Sequence, residues 1–351
     1  MYQLLKELTD IHGPCGFEHD VARYVVQRLQ GKVDHCHVDG LGNVIVTKHG
    51  AEEGPSLLVS AHSDEVGFIV KKIQPNGLLR FEKLGGHDDR VLPAQRVVIK
   101  TEHGKCHGVI GTLSAHMMKY DDPSLVRKHS EMYIDVGAAN SQEVHELGIQ
   151  VGDPITWATE IQKFGLRRVY GKGFDDRAGC AVLIKALEET DFSKVRGTVY
   201  GSFSVQEEVG LRGARVASQQ VDADVALAVD TTAVSDTPEP MMDDTLFLGR
   251  GPAIKVMDFS LIASVPVRNK LRNLAVEMQL PHQMEVFPGI GTDAGELHKE
   301  KSGVPTGVIS IPSRYAHTAV ETMDLQDLEG AKDLLKAFFL SMKNKEEFRF
   351  I

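Results

Sequence analysis

Short runs of Val, Leu, Ile and Ala, bounded by Gly or Pro and closed by an acidic or imidazole side chain, set the hydrophobic pattern of this chain. Residues 56–61 (SLLVSA), 198–205 (TVYGSFSV) and 225–229 (VALAV) are of this kind, and 306–311 (TGVISI) is a similar run separated from His317 by the turn Pro312-Ser313-Arg314. They have the length and composition of strands covered on both faces of a parallel sheet. Periodicity alone does not exclude a helix for so short a run, but Gly54-Pro55 ahead of the first favours a strand. Between the runs lie segments with helical spacing at 176–189, 211–218, 264–278, 293–299 and 325–342, with an extended piece at 285–287. The start of the chain reads as helices over 2–11 and 18–29, then extended segments over 33–38 and 43–48.

From residue 66 the texture changes. Alternating segments at 66–73, 78–84, 96–101 and 106–110 are separated by turn residues such as Pro75-Asn76-Gly77 and His103-Gly104, the pattern of a hairpin-rich barrel or sandwich. One short helix is expected at 141–147, where Ser141 lacks the glutamate of a full capping box. Strand–helix alternation returns after residue 168. The expectation is therefore an α/β fold with a mixed sheet covered by helices on both faces. Residues 1–65 and 165–351 are expected to form one discontinuous α/β domain, and 66–164 an inserted small β-barrel-like domain.

A length of 351 residues fits two domains better than one. Apolar residues at 42% and charged residues at 25%, with no long apolar run, predict a soluble protein that does not span a membrane. The first dozen residues carry Glu7 and Asp10 at helical spacing, unlike a secretory signal, and the four cysteines include no CxxC pair. Both features predict a reducing cytoplasm. A formal charge of -10 without a Lys/Arg cluster argues against nucleic acid as a partner.

The residues that close the apolar runs carry the chemistry. They are His62 and Asp64 in AHSDEVG, Asp175 and Asp176 in GKGFDDRAG, Glu207 and Glu208 in SVQEEVG, Asp230 in ALAVDTT, and His317 in SRYAHTAVE. Taken singly each has a bland reading: an H-x-D surface loop, a helix cap, a solvated EE pair or a structural histidine. As a set at one sheet edge they read as a two-metal hydrolase. Two imidazoles among carboxylates suit zinc first, with cobalt or manganese as alternatives, whereas calcium or magnesium would call for oxygen donors alone. Asp64 is placed to hold the His62 imidazole from behind. Asp175 is placed to bridge two cations, with Asp176 fixing the turn. Of the two glutamates one coordinates and the other moves the proton of the attacking water. Asp230, at the end of a wholly apolar run, needs a compensating positive charge.

On these motifs the sequence resembles the dinuclear-metal aminopeptidases that assemble into tetrahedral particles. That group includes glutamyl and lysyl aminopeptidases and proteins called cellulase-M-like or FrvX-type. The resemblance covers essentially the whole chain, from AHSDEVGF across the interruption to GKGFDDRAGC. It implies that His62 and Asp230 bind one metal, that Glu208 and His317 bind the other, and that Asp175 bridges them. Glu207 is then the general base and acid. It also implies that residues 66–164 dimerise and that six dimers build a dodecamer. Residues 111–116 (GTLSAH), including His116, correspond to a segment reaching toward a neighbour's active centre, and Arg250 lies in a segment resembling part of the substrate pocket. A buried Arg250 or Lys255 there would favour acidic N-terminal residues.

The function expected is removal of N-terminal residues from short peptides through a water bridging two divalent metals. Rival readings are a related dinuclear amidase, deacetylase or carboxypeptidase, a metal-free glycosidase using two carboxylates, and a scaffold whose metals are structural.

Overall fold

The apolar runs form strands in the computed structural model, which describes residues 1–122, 124–239 and 241–351. Along the chain, α1 (Tyr2–Thr9) and α2 (His19–Leu29) precede β1 (His35–Val38), β2 (Val44–His49) and β3 (Glu52–His62). Six short strands follow: β4 (Gly67–Ile73), β5 (Leu79–Leu84), β6 (Arg96–Thr101), β7 (Gly104–Ile110), β8 (Ile134–Asp135) and β9 (Pro154–Trp157), with α3 (Ser141–Glu146) between the last two. Then come β10 (Gln162–Phe164), β11 (Arg168–Gly171), α4 (Phe174–Glu189), β12 (Arg196–Ser204), α5 (Arg212–Ser218), β13 (Val225–Ala233) and β14 (Ala253–Met257). The chain finishes with α6 (Val265–Glu277), β15 (Gln283–Val286), α7 (Ala294–Leu297), β16 (Thr306–Ser313), β17 (Glu321–Asp324) and α8 (Leu325–Ser341).

The main sheet has the order β1-β2-β12-β3-β13-β16-β14-β15. Its centre, β12-β3-β13-β16, is parallel, whereas β2 runs antiparallel to β12 and β14 antiparallel to β16. The sheet is therefore mixed, as expected. Alternation along β3 decides which layer each side chain enters. Leu57, Val59 and Ala61 join the large core under α4 and α8, together with Phe203, Leu227, Val229, Ile309 and Ile311. Leu58, Ser60 and His62 point to the other face, where α5 and α7 form a thinner cover with Ala214 and Leu297. Helix α4 is apolar nearly all round because it lies between the sheet and α8, and Ala178 to Leu187 are almost wholly buried.

The six strands β4-β5-β8-β7-β6-β9 close into a barrel, again as expected. Its core is Phe68, Phe81 and Trp157 in edge-to-face contact at 5.2 and 5.0 Å, surrounded by aliphatic residues. Gly77, at φ +83°, makes the turn from β4 to β5. Helix α3 starts at Ser141 as expected, but its cap is the preceding residue: Asn140 accepts from the Glu143 amide, and the Glu143 carboxylate accepts from the Ala139 amide.

A buried polar knot ties the chain start to the strand that delivers His62. Arg177, wholly buried, donates to the carbonyls of Leu8 at 2.6 Å and Gly13 at 3.1 Å, and its guanidinium lies 3.5 Å from Glu65. Lys172 closes on the same carboxylate at 2.7 Å. Breaking such a pair typically costs about 3–5 kcal/mol because the partner is left charged and dry.

His12 sits beside this knot, with Nδ1 3.0 Å from the Thr156 hydroxyl of β9. Burial pushes its pKa down to about 3, and the Lys172, Lys100 and Lys105 charges add to the effect. The folded chain thus keeps His12 neutral at pH values where the unfolded chain protonates it. Its stabilising contribution is complete above about pH 6.5 and falls away as pH drops toward 3. Replacing His12 with Gln should flatten the acid fall of the urea unfolding midpoint between those limits by up to about one proton's worth of slope. An unchanged slope would mean that His12 is solvated in the folded state.

Candidate active site

Strand register brings the acidic and imidazole residues to one edge. Ser204, the last residue of β12, pairs with His62, the last of β3, so the chain that continues to Glu207 and Glu208 emerges beside the imidazole. Asp230 lies near the same end of β13, next to β3. Asp175 stands at the head of α4, where Gly173 takes the left-handed conformation and the Asp175 and Asp176 dihedrals are not helical. His317 follows β16 in a turn, itself at φ +62°.

The eight acidic and imidazole residues expected from the sequence converge. His62 Nε2 lies 3.1 Å from Asp175 Oδ1, 3.7 Å from Asp230 Oδ1 and 4.0 Å from Glu207 Oε2. His317 Nε2 lies 3.0 Å from Glu208 Oε1 and 3.3 Å from Asp175 Oδ2. The two oxygens of Asp175 therefore face two different imidazoles. Three overlapping groups, His62/Asp175/Asp230, His62/Glu207/Glu208 and Asp175/Glu208/His317, each gather their donor atoms within 4.8 Å.

Behind these groups, backbone contacts fix each side chain. Asp64 accepts from the amides of Glu207 at 3.0 Å and Glu208 at 3.2 Å. Its Oδ1 is 3.4 Å from His62 Nδ1, so it holds the glutamate pair more directly than the imidazole it was expected to hold. Asp176 accepts from the Gly179 amide at 2.8 Å, the expected turn-fixing role. The Gly86 carbonyl, from the barrel side, accepts from His317 Nδ1 at 2.9 Å and so directs Nε2 at the carboxylates.

Two acids were not singled out in the sequence. Glu321 accepts from the amides of His317 at 2.8 Å and Asp175 at 3.1 Å, joining the two halves of the cluster. It closes the same SRYAHTAVE segment as His317, four residues on, and that spacing was its only signal. Asp293 is buried beneath the cluster and accepts from Ser60 and Ser204.

Arg250 and Lys255 fall elsewhere. Arg250 is exposed, packed 3.6 Å over the Phe247 ring, and does not line the cavity at the cluster. Lys255 is wholly buried, its Nζ 3.2 Å from Glu285 and 3.6 Å from Asp258. Neither faces the space beside the carboxylates, because β14 turns Lys255 into the protein and the preceding loop turns Arg250 out. His116 is exposed in a 3-10 turn (Ala115–Tyr120) after β7, outside the cavity of its own chain.

The electrostatics of the cluster are lopsided. Burial pushes the Glu207 and Asp230 carboxyls well above their ordinary range, and His62 is the main charge opposing that. Burial acts the same way on Glu321, which Asp175 helps push up to about 8. Burial would raise Asp175 too, but His317 and His62 hold it below the usual range. For His62 burial works toward the neutral ring, and the charges of Glu207, Asp175 and Asp64 outweigh it. Glu208 Oε1 is buried with His317 Nε2 3.0 Å away. So many acids gathered in a largely buried site, with two imidazoles aimed inward, suit divalent cations. The cluster opens on a cavity of about 790 Å³, walled by Leu211, Thr231, Thr232, Phe259 and Ile290.

Comparison with known proteins identifies the family. The family model described as M42 glutamyl aminopeptidase matches residues 42–334. The chain belongs to the M42 aminopeptidase family. It is a peptide hydrolase of a family that uses divalent metal. The solved aminopeptidase APDkam598 from the archaeon Desulfurococcus kamchatkensis is 38% identical, with a TM-score of 0.94 over 99% of this chain and 96% of that one. The lysyl aminopeptidase of Pyrococcus furiosus is 33% identical over 97% of this chain and 97% of its own length. The Pyrococcus horikoshii TET1 peptidase, described as assembling into a tetrahedron or a large octahedral shell, is 32% identical, with a TM-score of 0.88 over 97% of this chain and 99% of that one.

Cations that bind this folded M42 cluster and not the unfolded chain must stabilise the fold by mass action. Stripping metal with a chelator should therefore lower the melting temperature by several degrees, about 3 kcal/mol for a ligand present at roughly 100 times its Kd. Re-addition of zinc should restore it. A melting temperature indifferent to both treatments would contradict a metal role for the cluster.

Proposed function

We propose that this protein removes N-terminal residues from short peptides with a pair of divalent cations held by the cluster at the sheet edge. The reading is carried by one observation: Asp175 presents its two carboxylate oxygens to two imidazoles, 3.1 Å from His62 and 3.3 Å from His317. In this assignment His62 and Asp230 would hold one cation, Glu208 and His317 would hold the other, and Asp175 would be shared by both. Zinc is the first choice, with cobalt or manganese accepted by the same donors. When bound, the cations would make the attacking water more acidic and stabilise negative charge on the carbonyl oxygen.

The chain's own residues do the rest. Glu207 stands beside His62, and the raised affinity for a proton that burial gives it suits a group that takes one from the attacking water and returns it to the leaving amine. Asp64 fixes the backbone from which Glu207 and Glu208 project. Leu211, Phe259 and Ile290 give one side of the cavity an apolar lining.

The barrel, within residues 66–164, serves as the dimerisation unit of a homo-oligomer, a dodecamer of six dimers. The assembled tetrahedral M42-type shell would admit only unfolded or already cleaved peptides, and a cytoplasmic protein of peptide turnover fits that limit. His116 in 111–116 is the residue of this unit assigned to a neighbour's active centre. The exposed Leu113, Met117, Met118 and Tyr120 around it are the apolar surface that such a contact would cover.

Glu207→Gln keeps size and hydrogen bonding but cannot take the proton. It should lower kcat by roughly 10²–10⁴-fold, the usual contribution of a positioned acid–base group, with metal content by elemental analysis unchanged. Turnover near the original rate would remove Glu207 from the reaction. A parallel assay on an N-acetylated peptide should show no cleavage. Cleavage of the blocked substrate would favour an amidase or carboxypeptidase.

A further inference from the structure

Asp293 is a buried acid of the region to which no part in the chemistry has been assigned so far. It is 2% exposed, immediately before α7, and its Oδ2 accepts from two hydroxyls, Ser60 at 2.6 Å and Ser204 at 2.5 Å. Those serines sit on different strands. Ser60 lies two residues before His62 on β3, and Ser204 ends β12 three residues before Glu207. Both serines are themselves wholly buried. The carbonyl of Ser204 is held as well, accepting from the Ser63 amide at 2.7 Å and the Ser63 hydroxyl at 2.8 Å. The point where β12 turns toward Glu207 is thus fastened on both sides.

The remaining oxygen of Asp293 is buried without a partner. A carboxylate is costly to keep in such a place for the sake of two serine bonds alone. The segment that carries it is also the cavity wall. Gly289, Ile290, Gly291 and Glu296 line the cavity. The neighbouring Thr292 hydroxyl donates to Asp258 at 3.1 Å, and the Phe259 amide donates to the Ile290 carbonyl at 2.8 Å. One side chain therefore joins the wall where a substrate would rest to the strand ends that carry the imidazole and the glutamates.

We infer that Asp293 is a positioning residue for the reaction: through Ser60 and Ser204 it sets the spacing between His62 and Glu207 and ties it to the cavity wall. The inference rests on the reading of Glu207 as the proton-carrying group. Its consequence is a loss in the chemical step without a matching loss in substrate or metal binding. A displacement near 1 Å of a reacting group costs on the order of 10²-fold in rate.

The test uses full-length, metal-loaded enzyme and compares Ser60→Ala, Ser204→Ala, Asp293→Asn, Asp293→Ala and the Ser204→Ala/Asp293→Ala pair, with Glu207→Gln alongside. Asp293→Ala should lower kcat on the order of 10²-fold, and Ser204→Ala roughly tenfold, with KM and metal content close to the parent. The double variant should be no slower than Asp293→Ala, since both changes cut one linkage. Parent-like kcat in Asp293→Asn and Ser204→Ala, or losses that multiply in the pair, would overturn the inference while an inactive Glu207→Gln left the base assignment standing. A fully active Glu207→Gln would overturn the base assignment and this inference with it. Should Asp293→Ala fail to fold, the two serine variants decide the matter by the same split between kcat and KM.

Discussion

Like charges held together out of water govern this structure. Asp175, Glu207, Glu208, Asp230, Asp293 and Glu321 are gathered near two imidazoles at one sheet edge, all of them largely shielded from solvent. Such acids repel one another and lose hydration, and each effect favours the protonated form. Positive charge of high density relieves both at once, which is what a divalent cation supplies. The cluster is the place where stability is given up for chemistry, and the surrounding fold is arranged to hold it.

That arrangement is made of backbone contacts more than of side-chain pairs. Asp64 grips the amides of Glu207 and Glu208, and Glu321 grips those of Asp175 and His317. Asp293 gathers the two serines that end neighbouring strands. A carboxylate that accepts backbone N–H groups fixes the chain whether or not its neighbours change protonation, so the donor atoms stay in place while the site is filled. The barrel also takes part, because the carbonyl of Gly86 sets the tautomer of His317. A distant strand-rich unit and a sheet-edge histidine are thus parts of one constellation.

Much of this was legible in the sequence, for a physical reason. A parallel strand buried on both faces must be apolar until it reaches the sheet edge, so the first acid or imidazole after SLLVSA, TVYGSFSV or VALAV marks that edge. Hence His62, Glu207, Glu208 and Asp230 could be found, and the hairpin turns of the barrel with them. What was not legible had no such pattern. Strand β17 reads ETMD, and its Glu321 is buried only because it caps two amides far apart in sequence. Strand β14 contains Lys255, whose burial depends on Asp258 and Glu285. Asp293 opens a helix of four residues and resembles an ordinary cap until Ser60 and Ser204 are seen on its carboxylate. Arg250 misled for the opposite reason: a segment can resemble a pocket wall while its side chain turns outward onto Phe247.

The claim on which the account stands is that the acidic cluster is a seat for two cations and is inert without them. It is tested most directly by titrating zinc into fully stripped protein while turnover of an aminoacyl reporter and bound metal are followed together. The account predicts that activity rises from the baseline to its plateau as the second equivalent per chain is bound, with further metal adding nothing. Full activity in stripped protein, or a plateau reached with no metal retained by the chain, would contradict it.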